Sequence, residues 1–228
     1  MKYLLPLALL LLLSACMTLS NDTGFTSAET PVPVELVGPY ISVDKMNVFY
    51  IGVENPISVS VPRVRSDSVS ISIENGSFTK DGHGRYLVKV NNPGQVKVTV
   101  SASDGAYKAN QTFHFRAKRI PDPVPTLDYP PKYNYTAGEF RVKLGMFMVL
   151  QDFDFDARCQ MASFVLTRIP QNGERQTALN KGERFGEAAK ALVDQAESGD
   201  AFIFSEIKTL CPGDTTARQL NSVVYFIQ

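Results

Sequence analysis

The residues best placed to do chemistry stand in a row, Asp152-Phe153-Asp154-Phe155-Asp156. Read as a strand, they put three carboxylates on one face and two phenyl rings on the other. Carboxylates are hard oxygen donors of the kind that ligate calcium. Same-face positions on a strand lie about 7 Å apart, so an ion here would need further oxygens from elsewhere. The plainer reading is a solvated acidic face beside Arg158, whose repulsion discourages edge-to-edge association. The two histidines have no zinc spacing: His83 lies in the turn Asp81-Gly82-His83-Gly84, and His114 lies between Phe113 and Phe115. No Gly-x-Ser-x-Gly elbow is present. Cys–His catalysis would have to join groups from two domains. The chain therefore reads as non-enzymatic, with no catalytic residue, metal or cofactor expected.

The three cysteines divide by position. Lys2 and the apolar run Leu4 to Leu13 form a signal segment too short for a bilayer core of roughly 30 Å. It ends Leu13-Ser14-Ala15-Cys16, small residues before a cysteine, as lipoprotein processing requires. Cleavage before Cys16 leaves a lipidated amino terminus, and two or more acyl chains hold a protein stably to a membrane. The competing reading is an ordinary signal peptide with a chance cysteine. Export puts Cys159 and Cys211 in an oxidising compartment. Bridged, they would close a loop of about 50 residues, worth roughly 4 kcal/mol in the chain-entropy model. Two separate buried thiols are the alternative, because sequence does not show whether their Cβ atoms meet.

The formal charge of the 228-residue chain is zero. This balance gives no electrostatic footprint for nucleic acid. There is no acidic cluster after Cys16, which favours an outer-membrane lipoprotein facing the periplasm.

The elements that position these residues follow from periodicity. Residues 1–15 are the signal peptide and 16–31 a polar tether. Over 32–117, Ile57-Ser58-Val59-Ser60-Val61, Val69-Ser70-Ile71-Ser72-Ile73 and Val96-Lys97-Val98-Thr99-Val100 alternate cleanly. Asn75-Gly76, Pro93-Gly94 and Asp104-Gly105 mark turns between them. Strands at such spacing predict an immunoglobulin-like β-sandwich. Residues 118–125 read as a stiff linker, with basic Lys118-Arg119 followed by three prolines. Residues 126–228 predict a second β-rich domain. Phe140 to Leu150 and Gln151 to Ile169 read as strands. Phe185, Ala188, Ala189, Leu192 and Ala196 recur at helical spacing, predicting one packed helix over about 183–197, with Gly199 just past its end. The expected class is mainly β: two consecutive β-sandwich domains, the second carrying one α-helix.

Several segments resemble a known family. Lys45-Met46-Asn47-Val48-Phe49-Tyr50, Gly52-Val53-Glu54-Asn55-Pro56-Ile57 and Ser60-Val61-Pro62 are similar to the C-terminal periplasmic region of the gliding-motility and type IX secretion protein GldM (PorM) of Bacteroidetes. The likeness continues through Lys118-Arg119-Ile120-Pro121-Asp122-Pro123, Phe153-Asp154-Phe155-Asp156-Ala157-Arg158, Gly199-Asp200 and Phe204 to Ile207. It implies two β-rich domains and protein–protein contact in the envelope, without catalysis. Family members carry an N-terminal transmembrane helix and helical periplasmic domains; here a lipoprotein signal precedes the β-rich region. The interaction role therefore carries over, and the motor role does not. Arg63 stands where the family pattern leads us to expect a glycine.

Two functional readings follow. The first is a lipid-anchored envelope adaptor, its partner a type IX secretion component, with Lys118, Arg119, Asp152, Asp154 and Asp156 as contact residues. A homodimer is compatible with it. The second is a glycan-binding or adhesion lipoprotein, using Tyr129, Tyr133 and Tyr135 as an aromatic platform.

Overall fold

A computed structural model describes residues 38–43, 46–105 and 107–228. The signal segment, Cys16 and the tether lie outside the described residues. The described residues belong to one unit, Val37–Gln228, and the fold is mainly β.

The alternating sequences become strands because each repeat of two residues sends one side chain inward. In chain order the strands are β1 (Tyr40–Val43), β2 (Val48–Tyr50), β3 (Asn55–Ser60), β4 (Val69–Glu74), β5 (Ser77–Lys80), β6 (Arg85–Lys89), β7 (Gly94–Asp104) and β8 (Tyr107–Lys118). They form two four-stranded sheets, ordered β1-β3-β6-β5 and β2-β8-β7-β4. Val96, Val98 and Val100 of β7 are fully buried, and Phe49, Ile57, Val88 and Phe115 complete the core between the sheets. Lys97, Thr99 and Ser101 point outward between them. β1 pairs antiparallel with β3, while β2 runs parallel to β8, so the N-terminal segment edges both sheets.

One buried amide shapes the β2–β3 turn. Asn55 is 2% exposed. Its Oδ1 accepts from the Tyr50 N–H at 2.7 Å, and its Nδ2 donates to the carbonyls of Tyr50, Val53 and Val88. Arg63 adopts a φ of 65°, the left-handed region that costs an L-residue with a Cβ. Arg63→Gly is expected to raise stability by about 0.5–1 kcal/mol, read from chemical denaturation midpoints.

The second half contains β9 (Val124–Thr126), β10 (Asn134–Tyr135), α1 (Ala137–Arg141), β11 (Phe147–Val149), β12 (Gln160–Ile169), β13 (Gln176–Lys181), α2 (Glu187–Asp194), β14 (Ala201–Leu210), β15 (Arg218–Gln219) and β16 (Val223–Ile227). The main sheet is ordered β10-β16-β14-β12-β13, with β15 against β14; β9 and β11 form a separate ribbon. Phe164, Leu166, Phe202, Phe204 and Tyr225 point to one side of the sheet, where Phe140 of α1 and Ala189, Leu192 and Val193 of α2 close the core. Among the described residues, no helix is long and apolar enough to cross a membrane.

Four local expectations need correction. Phe140 lies in a helix, because Thr136-Ala137-Gly138-Glu139 is a complete capping box: the Thr136 hydroxyl accepts from the Glu139 N–H, and the Glu139 carboxylate accepts from the Thr136 N–H. Residues 151–159 form no strand; Asp152 takes a φ of 53° and turns the chain, and pairing begins at Gln160. The second helix spans Glu187–Asp194 instead of 183–197. Gly182 turns with a φ of 77°, and the Asn180 amide holds Gly182, Arg184 and Gly186, delaying the helix start. The proline-rich stretch is anchored: Ile120, Pro123 and Pro125 are buried, and Val124–Thr126 pairs with β11.

The capping box sets an acid-side prediction. The Thr136 backbone N–H, then the Lys132 ammonium at 2.9 Å, hold the Glu139 carboxyl at about 2, below its ordinary 4.5. A carboxylate depressed by folding stabilises above its unfolded value and loses that stabilisation as pH falls. Glu139→Gln is therefore expected to flatten the stability profile between pH 4.5 and 2. Thr136→Ala should cost about 1 kcal/mol at neutral pH by thermal denaturation.

Candidate functional site: the junction between the two halves

The two halves meet through short turns. Gly52, with a φ of 83°, sits in the β2–β3 turn that Asn55 clamps. It packs so closely on the Pro212-Gly213 turn after β14 that a methyl group at Gly52 would overlap the backbone of both residues. Gly213 answers with a φ of 80°, and a Cβ there would come within 2.7 Å of the Ile51 side chain. Two glycines thus let two backbones touch where any larger residue would separate them. Gly52→Ala is expected to cost about 1–3 kcal/mol, as strain and lost contact combine, with calorimetry showing one melting transition broadening toward two.

Arg218 ties the same region to the linker. Its side chain is 12% exposed. It forms a bidentate pair with Asp214 at 2.8 Å, and donates to the Ile120 carbonyl at 2.6 Å and to the Asp122 carboxylate at 3.0 Å. The planar guanidinium can serve carboxylate and carbonyl acceptors at once, which an ammonium does less well. Beside it, Cys159 and Cys211 form a disulfide, with Cα atoms 4.1 Å apart. The bridge joins the Phe153-to-Arg158 segment to the Pro212-Gly213 turn.

That segment reaches the first half through its rings. Phe153 and Phe155 lie edge-on to Tyr50, with centroids 4.8 and 5.2 Å away. Tyr50 is paired with Lys118 across β2 and β8. Tyr50 thus neighbours Lys118 of one expected contact set along the strand pair and touches the rings that alternate with Asp152, Asp154 and Asp156 of the other. These three carboxylates, Lys118 and Arg119 are exposed. The half-buried rings and exposed carboxylates still alternate, although residues 152–156 are not a strand. Among the described residues, no group of three His, Cys, Asp or Glu side chains is placed to hold a metal ion.

Nearby, two open clefts of about 550 and 420 Å³ share Arg158 and Glu183, which pair at 3.6 Å. The first is lined also by Lys181 and Arg184, the second by Phe147, Met148 and Cys159. His83 faces Asp67 at 3.7 Å, and His114 contacts Gln95 at 3.1 Å, both on the surface of the first sandwich. Of the three tyrosines named for an aromatic platform, Tyr129 is 73% and Tyr133 50% exposed, Tyr133 stacking on Tyr225, while Tyr135 is 1% exposed and belongs to the core. Burial pushes the Tyr135 and Tyr225 phenols well above their ordinary value.

Sequence reasoning missed Arg218 and the reciprocity of Gly52 and Gly213. Pro212-Gly213-Asp214 reads as a turn, but nothing local reveals what the turn touches.

Residues 40–118 match the family model described as GldM third domain, and residues 121–228 match the GldM C-terminal domain. Among curated proteins, none matches. Solved structures that align include fibronectin(III)-like modules of Clostridium thermocellum CbhA, at 18% identity over 83% of this chain and 94% of that one, TM-score 0.25. The D0-D1 domain of Intimin aligns at 12% identity, covering 82% of this chain and 97% of that one, TM-score 0.25. An ICAM-5 D1-D4 ectodomain fragment aligns at 10%, covering 84% and 47%, TM-score 0.28. Superpositions this loose carry no argument.

Proposed function

Since this chain belongs to the GldM family through its third and C-terminal domains, we propose that it is a non-enzymatic adaptor of the cell envelope, held to the outer membrane by lipid on Cys16 and facing the periplasm. Its partner is a protein of the gliding or type IX secretion machinery. The observation that carries this reading is the collinear match of both domain models over 40–228. The junction supports it: opposed glycines, a buried arginine and a disulfide make the two halves a stiff pair that can present surfaces at a set angle. Lys118 and Arg119, exposed near Tyr50, and Asp152, Asp154 and Asp156, exposed on the segment whose rings touch Tyr50, offer a partner both signs of charge. Charge pairs of this exposed kind steer and select partners more than they add affinity.

Crosslinking in intact envelopes, followed by capture of the chain, tests this. Recovery of secretion components, lost when Lys118 and Arg119 are both changed to Glu, is expected. Binding to glycans with no protein partner would favour the adhesion reading instead. Mass spectrometry of the native amino terminus tests the anchor: an unmodified Cys16, or a terminus elsewhere, would remove it.

A further inference from the structure

Strand ladders leave few backbone polar groups unpaired, and one edge in the second half is an exception. Among the described residues, β11 pairs with β9 alone. Their register sets Phe147 opposite Thr126, Met148 opposite Pro125 and Val149 opposite Val124. Proline has no N–H, so the ladder bonds fall on Phe147 and Val149, and the N–H and C=O of Met148 point to the opposite edge. Along that edge the Met146 N–H donates to the Glu183 carbonyl and the Phe185 N–H to the Leu144 carbonyl, both at 2.9 Å. Continued, this pairing would bring Lys181 to Met148. Gly182 prevents it: with a φ of 77° it turns the chain onto β12, where its N–H donates to the Ala162 carbonyl and Lys181 pairs with Ser163. The edge at Met148 is left without a strand.

The smaller cleft named above, of about 420 Å³, opens at this edge and is lined by Phe147, Met148, Val149 and Leu150, and by Ala157 and Cys159. Among the described residues, no backbone-to-backbone hydrogen bond reaches Leu150, Ala157, Arg158 or Cys159 either. Peptide groups without a partner inside the fold are satisfied from outside it. The larger cleft, of about 550 Å³, shares Arg158 and Glu183 with the smaller one and adds Lys181 and Arg184. Arg158 and Glu183 pair at 3.6 Å, whereas Lys181 and Arg184 are exposed and form no ion pair among the described residues. Three cations thus stand against one carboxylate.

We infer that an extended segment of another protein, apolar and acidic in alternation, adds to β11 as a strand at Met148 and sets its carboxylates on Lys181 and Arg184. Strand addition draws affinity from main-chain hydrogen bonds and specificity from the side chains around them. Here Met148 offers the main chain, Phe147, Val149 and Phe153 the apolar contact, and the two unpaired cations the charge. The edge from Phe147 to Leu150 is about 13 Å long, so the segment it holds is short. A lipid or a glycan lacks the repeating N–H and C=O groups that this edge matches. A second copy laid on the same edge would bring like cations together, so the occupant is a different, acidic chain. The inference deepens the adaptor reading and rests on it, at a site separate from Lys118 and Arg119.

The full chain in mild detergent, titrated into a dye-labelled synthetic peptide of alternating valine and aspartate, tests it by fluorescence anisotropy. Saturable binding below about 100 μM is expected. Lys181→Glu with Arg184→Glu should weaken it at least tenfold, and raised salt should weaken it too. Lys118→Glu with Arg119→Glu should leave it unchanged, so a failure here and a failure of the envelope crosslinking are told apart. Methylating the central amide nitrogens of the peptide removes its donors without altering the protein, and should also weaken binding at least tenfold. Amide exchange followed by NMR should slow at Met148 on binding and stay unchanged at Phe147 and Val149, whose N–H groups already serve β9. No saturable binding, equal binding of a valine–lysine peptide or of the methylated one, or protection confined to other elements would overturn the inference.

Discussion

Asp200→Ala is expected to lower the stability of the second half by about 3–5 kcal/mol, the largest effect of any single substitution considered. Asp200 is 3% exposed and stands at the entry to β14. Its carboxylate accepts from Arg168 Nε at 2.8 Å, from the Glu197 N–H at 3.0 Å and from the Gln171 N–H at 3.2 Å. Arg168, itself 8% exposed on β12, donates onward to Gln195 at 3.0 Å, just past the end of α2. One carboxylate thus joins two strands to the turn that follows the helix. Truncating it leaves a buried guanidinium without its counter-charge and two part-buried amides without this acceptor, and desolvation of the guanidinium dominates the cost. Arg168→Met with Asp200→Leu removes both charges. That double variant should lose much less than Asp200→Ala, by urea denaturation. A double variant as unstable as the single one would show that shape, not charge, matters there.

Replacing both Cys159 and Cys211 by Ser is the second large effect. The closed loop spans 52 residues, and loop-closure entropy alone predicts about 4 kcal/mol. Part of the consequence is local. The bridge ties the Phe153–Phe155 segment to the Pro212-Gly213 turn, and both touch the first sandwich, at Tyr50 and at Gly52. Loss of the bridge should therefore loosen the junction before it unfolds either core. Small-angle scattering is expected to show a larger radius of gyration for the double variant under native conditions. Hydrogen exchange should rise first in the turn around 211–214 and at 150–158. Unchanged exchange there would mean the glycine contact and Arg218 hold the junction alone.

These effects concentrate where side chains from distant parts of the chain meet. The cores needed no such meeting to be read. Strict alternation in Val69 to Ile73 and Val96 to Val100 dictates which side chains point inward, because a strand has a period of two whatever lies opposite. The same local logic places the turns at Asn75-Gly76 and Asp104-Gly105, and the mainly β class follows from it. Thr136 and Glu139 carried a readable helix start; the apolar run Phe147-Met148-Val149 after it drew the strand too far upstream. Asp152 at positive φ ended the expected strand over 151–159, since one residue in that conformation turns a chain that alternation alone would extend.

By itself, then, the order of residues determined the mainly β class, most of the strands with their inward rows, and the resemblance to the GldM region. Tertiary structure alone decided that Gly52 faces Gly213, that Arg218 reaches Ile120 and Asp122, and that Cys159 meets Cys211. The reason is separation along the chain. Periodicity and capping act over a few residues, where covalent geometry carries the information. A contact between residues 98 positions apart, such as that of Arg218 and Ile120, depends on how every intervening element packs.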